Sequence, residues 1–415
     1  MKTHARGKTL VLLVSTILSL LLGGCGPSQP VKIAPSRYDK WVNDIDYLAE
    51  ELPKRHKNLF FSLDQADFYR ETERIKQQVN KWTDDELKVA LTGLVASVGD
   101  GHTMIYPDFR VMYPLRLYWF KEGIYVLDAS EEYQEAISLK LVTINGKPLG
   151  EVLTALGPII SRDNEAGFKY YVPSYMLAPW VLRGLGISDS DHVTMGFLDS
   201  EGQKVVLTMY PEETQSIQYV ASFSQRAGLP LYLRHPALYY WYEYIPQHNT
   251  VYFQYNVCAN MPVQSFQAFT DELFEFIVHN QVERLVVDLR SNGGGNSSVM
   301  SPFIGRVKRS ALNDADKLFV IIGRRTFSSA LLNALDLKQS TKATFVGEAT
   351  GGKPNHYGEV RTLFLPNTGL TVGYSTKYFR KSREDADSLL PDVIIEPIIA
   401  AFTKGQDPVM NWILQ

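Results

Sequence analysis

Leu318-Phe319-Val320-Ile321-Ile322, then Thr326-Phe327-Ser328-Ser329-Ala330, then Leu331, Leu332 and Leu335 at helical spacing: this stretch decides the fold. Five apolar residues in a row suit a strand buried on both faces, and the leucines suit a helix that covers it. The same alternation surrounds it. Val251 to Tyr255 and Leu285 to Leu289 are two more apolar runs, and Ala343 to Val346 is a fourth. Phe266, Phe269, Leu273 and Phe276 form a helical stripe between the first two. Strands separated by helices predict an α/β layer with a mixed, partly parallel sheet. Sites in such sheets gather at the carboxyl ends of strands. Arg290-Ser291-Asn292-Gly293-Gly294-Gly295 and the serine pair both fall there. A serine at that junction suits a helix N-cap, and it equally suits a nucleophile near the positive end of a helix.

Upstream the pattern changes. Trp41, Ile45, Leu48 and Leu52 recur at helical spacing, and Pro53 is expected to end that helix. Phe68, Thr72, Ile75 and Val79 mark a second. Thr83 with Glu86 makes a capping box for a third, carrying Leu87, Leu91, Leu94 and Val98. Residues 36–104 are therefore expected to be a helical cap. Residues 105–215 read as β-rich, with the sharpest hairpin signal at Asn145-Gly146; Leu141 to Leu149 looks like part of a PDZ-type module. Residues 216–415 are the α/β core. The fold class expected is α/β, or α+β across several domains.

The first 25 residues carry a basic n-region (Lys2, His4, Arg6, Lys8), an apolar run from Leu10 to Leu22, and then Gly23-Gly24-Cys25. This resembles a bacterial lipoprotein signal, with Cys25 as the lipidated residue and 26–35 as a flexible tether. The expectation is an extracytoplasmic protein held to a bacterial membrane by lipid on Cys25. The other cysteine of the two, Cys258, lies in an apolar run and reads as an inert buried thiol. With 42 Lys and Arg against 45 Asp and Glu, the charge gives no case for nucleic acid. No zinc spacing, calcium loop or phosphate-binding glycine loop is present, so no metal or cofactor is expected. The run Tyr239 to Tyr244 would suit a peptide groove or a strand covered on both faces.

Three segments carry chemistry. Gly99-Asp100-Gly101-His102-Thr103 offers a loop histidine, a base near neutral pH. Asp288 to Gly295 offers glycines whose N–H groups can face a ligand. The serine pair is followed by Val346-Gly347-Glu348-Ala349-Thr350-Gly351-Gly352-Lys353. Together, in this order, they resemble the tail-specific (C-terminal processing) serine peptidases, closer to the tricorn-core branch. The resemblance covers about Val251 to Pro397. It implies peptide hydrolysis with a peptide or protein substrate. It points to Ser329 as nucleophile because Ala330 follows it, although Leu332 stands where the family has a Glu. Ser328 is the alternative, with better spacing to Gly347-Glu348. The tricorn-like branch implies His102 as base and the tail-specific branch a lysine, here Lys353; His102 is preferred because it needs no desolvation. The family often has a serine before that histidine, and here it is Gly101. Glu359, Asp100 and Glu348 are candidates for the third member. Gly293 or Gly294, with Ala330, would supply the oxyanion hole.

Two other functions fit the leader. One is a catalytically inactive surface lipoprotein of the same fold that binds peptides or other ligands. The other is a transporter-associated solute-binding lipoprotein, which leaves the coincidence of three motifs unexplained.

Overall fold

The computed structural model describes residues 34–220 and 229–415. The leader, Cys25 and most of the tether lie outside the described residues. No helix among the described residues is long and apolar enough to cross a membrane. Arg37 to Gln415 form one compact unit.

Three helices come first: α1 (Arg37–Arg55), α2 (Gln65–Gln78) and α3 (Asp84–Ala96). The Thr83–Glu86 capping box is complete and opens α3. Pro53 does not stop α1, which runs to Arg55. A proline removes only its own N–H bond, and here the last turn closes through His56 N–H to Leu52 O at 3.0 Å. Then β1 (Met104–Ile105) and β2 (Val111–Met112) lead to β3 (Leu115–Phe120), β4 (Gly123–Ala129) and β5 (Lys140–Ile144). A tight turn at Asn145 and Gly146, both with positive φ, joins β5 to β6 (Lys147–Pro148). Helices α4 (Leu149–Leu156), α5 (Glu165–Tyr175) and α6 (Pro179–Gly184) follow, then β7 (Val193–Leu198), β8 (Lys204–Met209) and β9 (Glu212–Glu213). The antiparallel order β3-β4-β5-β7-β8 encloses its own core around Leu141, Ile144, Val193, Met195 and Phe197.

The second half is the α/β layer. Its strands are β10 (Tyr240–Ile245), β11 (Thr250–Tyr255), β12 (Arg284–Asp288), β13 (Leu318–Ile322) and β14 (Thr344–Gly347). Between them run α7 (Phe266–His279), α8 (Ser301–Val307) and α9 (Ser329–Ser340). A hairpin, β15 (His356–Phe364) and β16 (Thr371–Phe379), leads to β17 (Val393–Ile394), α10 (Ile399–Thr403) and α11 (Pro408–Ile413). The sheet order is β10-β11-β12-β13-β14-β17, parallel except for β10 on β11. Strand alternation divides its side chains. Phe253, Val287 and Val320 pack under α7, α8 and α9, whereas Tyr252, Val286, Phe319 and Ile321 pack on α11. Both faces are thus covered, which is why these strands read as continuous apolar runs. The aromatic run belongs to β10, with Tyr240 and Trp241 buried.

The three-helix segment does not enclose a core alone. Leu363, Leu365, Val372 and Tyr374 of the β15–β16 hairpin complete it, and β1 pairs with β16. This contact brings the loop after α3, with His102, against the α/β core.

Candidate active site

The carboxyl ends of β12 and β13 support two turns that touch. Asn292 organises the first. Its side-chain N–H donates to Tyr255 O at 2.9 Å, and its side-chain oxygen accepts from Gly294 N–H at 2.9 Å. In the second, Thr326 donates to Leu289 O at 2.9 Å and accepts from Gly323 N–H at 3.0 Å, while Phe327 N–H reaches Asn292 O at 3.2 Å. A side-chain carbon on Gly294 would stand 2.8 Å from Ser328 Cβ and 3.2 Å from Ser329 N, so only glycine lets the turns meet this closely.

The two serines have different surroundings. Ser329 is buried at the first position of α9, and its hydroxyl donates to Gly295 O at 2.6 Å. Ser328 precedes the helix with φ 51 and ψ −127, a strained conformation for a residue with a side chain. Its half-buried hydroxyl makes no hydrogen bond among the described residues. A serine held at a sharp, strained strand-to-helix turn with its oxygen presented is the geometry of a nucleophile elbow.

Of the amides expected to bind an oxyanion, two are occupied. Gly294 N–H bonds Asn292, and Ala330 N–H bonds Phe327 O at 3.1 Å. Gly293 N–H and Ser329 N–H have no acceptor among the described residues, and Ser329 N is one of the orphan donors of a helix start.

His102 lies beside Phe327, the residue before the serine pair. Its ring stacks on Phe327, with centroids 4.2 Å apart, and on His356 at 5.4 Å. It is buried, and neither ring nitrogen completes a hydrogen bond, although Tyr357 backbone is near enough to favour its protonated form. Burial pulls its pKa down to about 4 against the attraction of Asp100, with His356 adding to the fall. The ring is therefore neutral near pH 7 and free to accept a proton. Asp100 Oδ1 stands 3.8 Å from His102 Nδ1. Its carboxylate is held by Ser375, Thr103 and His56 side chains at 2.5, 2.6 and 3.1 Å and by His102 N–H at 2.9 Å. Burial works against the charge of Asp100, but His56, His102 and the two hydroxyls outweigh it and hold its pKa below the usual value.

The other candidates sit elsewhere. Lys353, 36% exposed, pairs with Asp387 at 3.2 Å. Glu348 at the end of β14 is bound by Arg324 at 2.6 Å. Glu359 is exposed on β15. Cys258 is buried under the glycine turn, its thiol pushed up to about 12 mainly by burial.

Two residues here escape sequence patterns. Asp163, ahead of α5, accepts from Gly101 N–H at 2.7 Å and Lys353 N–H at 3.2 Å, tying the histidine loop to the loop after β14. Burial, with the charge of Asp100 adding to it, pushes its carboxyl up to about 7. His356 lies within the segment that resembles the family; its Nδ1 meets Lys353 O at 2.7 Å.

No family model and no curated protein sequence matches the chain. Solved structures do. Mature CPAF complexed with lactacystin superposes with a TM-score of 0.64 at 12% identity, over 91% of this chain and 97% of that one. Mature CPAF alone gives 0.63 at 12%, over 91% and 96%. The photosystem II D1 C-terminal processing protease gives 0.40 at 15%, over 88% and 94%. The chain therefore shares the fold of mature CPAF along nearly its whole length.

Proposed function

We propose that the chain is a serine peptidase in which Ser328 is the nucleophile and His102 the general base. The observation that carries this is the strained backbone of Ser328 with its uncommitted hydroxyl, directly after Phe327, on whose ring the buried His102 stacks. Ser328 Oγ attacks the peptide carbonyl as its proton passes to His102. The oxyanion is received by Gly293 and Ser329 N–H. His102 then returns the proton to the departing amine, and water repeats the sequence on the acyl-enzyme. Asp100, 3.8 Å from Nδ1, stabilises the transient imidazolium by its charge. Lys353 suits the base role less, because a lysine base needs desolvation and this one is partly exposed and paired. The test is a fluorophosphonate probe, with the labelled peptide mapped by mass spectrometry. Labelling of Ser328 supports the assignment, labelling of Ser329 moves the nucleophile by one residue, and absence of labelling on folded protein rejects the peptidase.

A non-catalytic, peptide-binding role is favoured by one observation: no hydrogen bond joins His102 to either serine. An apo site often tightens only around substrate, so the probe separates the two. We also propose that Cys25 carries a lipid that holds the protein to a bacterial membrane outside the cytoplasm. The leader sequence supports this. Cys25→Ala should move the protein from the membrane to the soluble fraction, and an unchanged distribution would remove the anchor.

A further inference from the structure

Beside the serine turn lies a cavity of about 470 Å³ at the carboxyl ends of β12, β13 and β14. Its floor is the sheet and its walls come from β3, α5 and the segment before α11. Cavities of this size at strand ends hold ligands larger than a single small side chain. Tyr118, Tyr170, Tyr171 and Tyr232 give it an aromatic lining. Its charges are of two kinds. Arg290 and Arg324 are neutralised, by Asp288 at 2.8 Å with Asp407 at 2.9 Å, and by Glu348. Arg325 and Lys169 form no ion pair among the described residues; Arg325 lies over Tyr170 at 5.9 Å and Lys169 over Trp119 at 5.8 Å, and the Lys169 charge acts on Glu348. Arg325 is exposed, three residues before Ser328, and its Nε lies 3.7 Å from where a side chain on Gly293 would begin. A free guanidinium therefore joins the cavity to the candidate oxyanion turn. Glu396 is the lining carboxylate left without an ion pair, and its charge acts on Glu348.

We propose that this cavity is the specificity pocket of the peptidase and that Arg325 receives a carboxylate of the substrate next to the scissile bond. The inference rests on the peptidase reading above. A guanidinium meets a carboxylate through two parallel N–H donors, which a lysine cannot copy. The aromatic lining holds the apolar part of the bound residue, and the paired arginines are not available to it. The carboxylate could belong to an Asp or Glu side chain or to a chain end, and the test distinguishes them.

Peptides identical except for one residue, Glu or Gln, are compared in kcat/KM, each with a free or an amidated C-terminus. Wild type is expected to prefer Glu over Gln by about tenfold; a preference that follows the free C-terminus instead assigns the carboxylate to the chain end. Arg325→Gln and Arg325→Lys should bring the ratio close to one, and Glu396→Gln should widen it by removing a competing negative charge. The same peptides are titrated onto Ser328→Ala by fluorescence anisotropy, where no cleavage is needed. Cleavage with no preference for either carboxylate, or a preference that survives Arg325→Gln, overturns the pocket and leaves the peptidase standing. Selective binding to Ser328→Ala without cleavage by wild type keeps the pocket and overturns the peptidase. Absence of both binding and cleavage overturns both.

Discussion

The hydroxyl of Ser329 is bonded to the carbonyl of Gly295 at 2.6 Å, so the second serine of the pair holds the glycine turn against α9. Its neighbour carries the strain and the free oxygen. Ser328→Ala should therefore remove peptide cleavage to background while the protein stays folded. Ser329→Ala should cost about 1 kcal/mol of stability, the worth of one hydrogen bond, and leave measurable cleavage. Casein hydrolysis beside urea unfolding of both variants checks this; a dead Ser329→Ala with an active Ser328→Ala reverses the assignment.

The choice between the serines shows where letters stop. The strands, the helices over them, the capping box at Thr83 and the meeting of the glycine turn with the serine helix all follow from apolar periodicity and turn residues. A following alanine favours Ser329, whereas our proposal of Ser328 rests on a backbone dihedral, and both serines are the same letter. The β15–β16 hairpin was not legible either. Most of β15 between its ends is exposed, so it has no clean alternation, and its apolar residues complete a helical core far away in sequence. Asp163 was invisible for another reason: it binds backbone N–H groups of Gly101 and Lys353, which no side-chain pattern announces.

Gly294 supplies a sharper test of the joined turns. It has φ +117, and an added methyl would press on Ser328 Cβ and Ser329 N. Gly294→Ala should displace the elbow and the orphan amides together, lowering kcat/KM by about a hundredfold or more. Circular dichroism should show the fold retained. Activity within threefold of wild type would mean the turns do not form the site.

The base is identified by pH. Burial holds His102 at about 4 in the free protein, so kcat/KM should stay level well below pH 6 before its acid limb falls, since that limb reports the free enzyme. A lysine base would instead give activity that climbs through the alkaline range. His102→Ala should lose at least a hundredfold at pH 7, and Lys353→Ala should keep most of its rate. The opposite pair of results would hand the role to Lys353.

Asp163 makes a prediction about stability. Its pKa in the folded protein is about 7 against an ordinary 3.8, so between these values the folded chain holds a proton that the unfolded chain has lost. Stability contributed by this group is full at low pH and is lost as pH rises through about 7, on the order of 4 kcal/mol in all. His102 has the reverse sign. Lowered from 6.5 to about 4, it stays unprotonated when folded while the unfolded chain takes up a proton, so its contribution rises with pH across that window. In wild type the two partly cancel. Asp163→Asn keeps an oxygen for Gly101 N–H and removes one of them. The variant should match wild type near pH 4, exceed it at pH 8, and show a clear rise in stability from pH 4 to 6.5. Urea unfolding at pH 4, 6 and 8 measures this directly, and a constant difference between variant and wild type at all three would show that the Asp163 carboxyl does not titrate with folding.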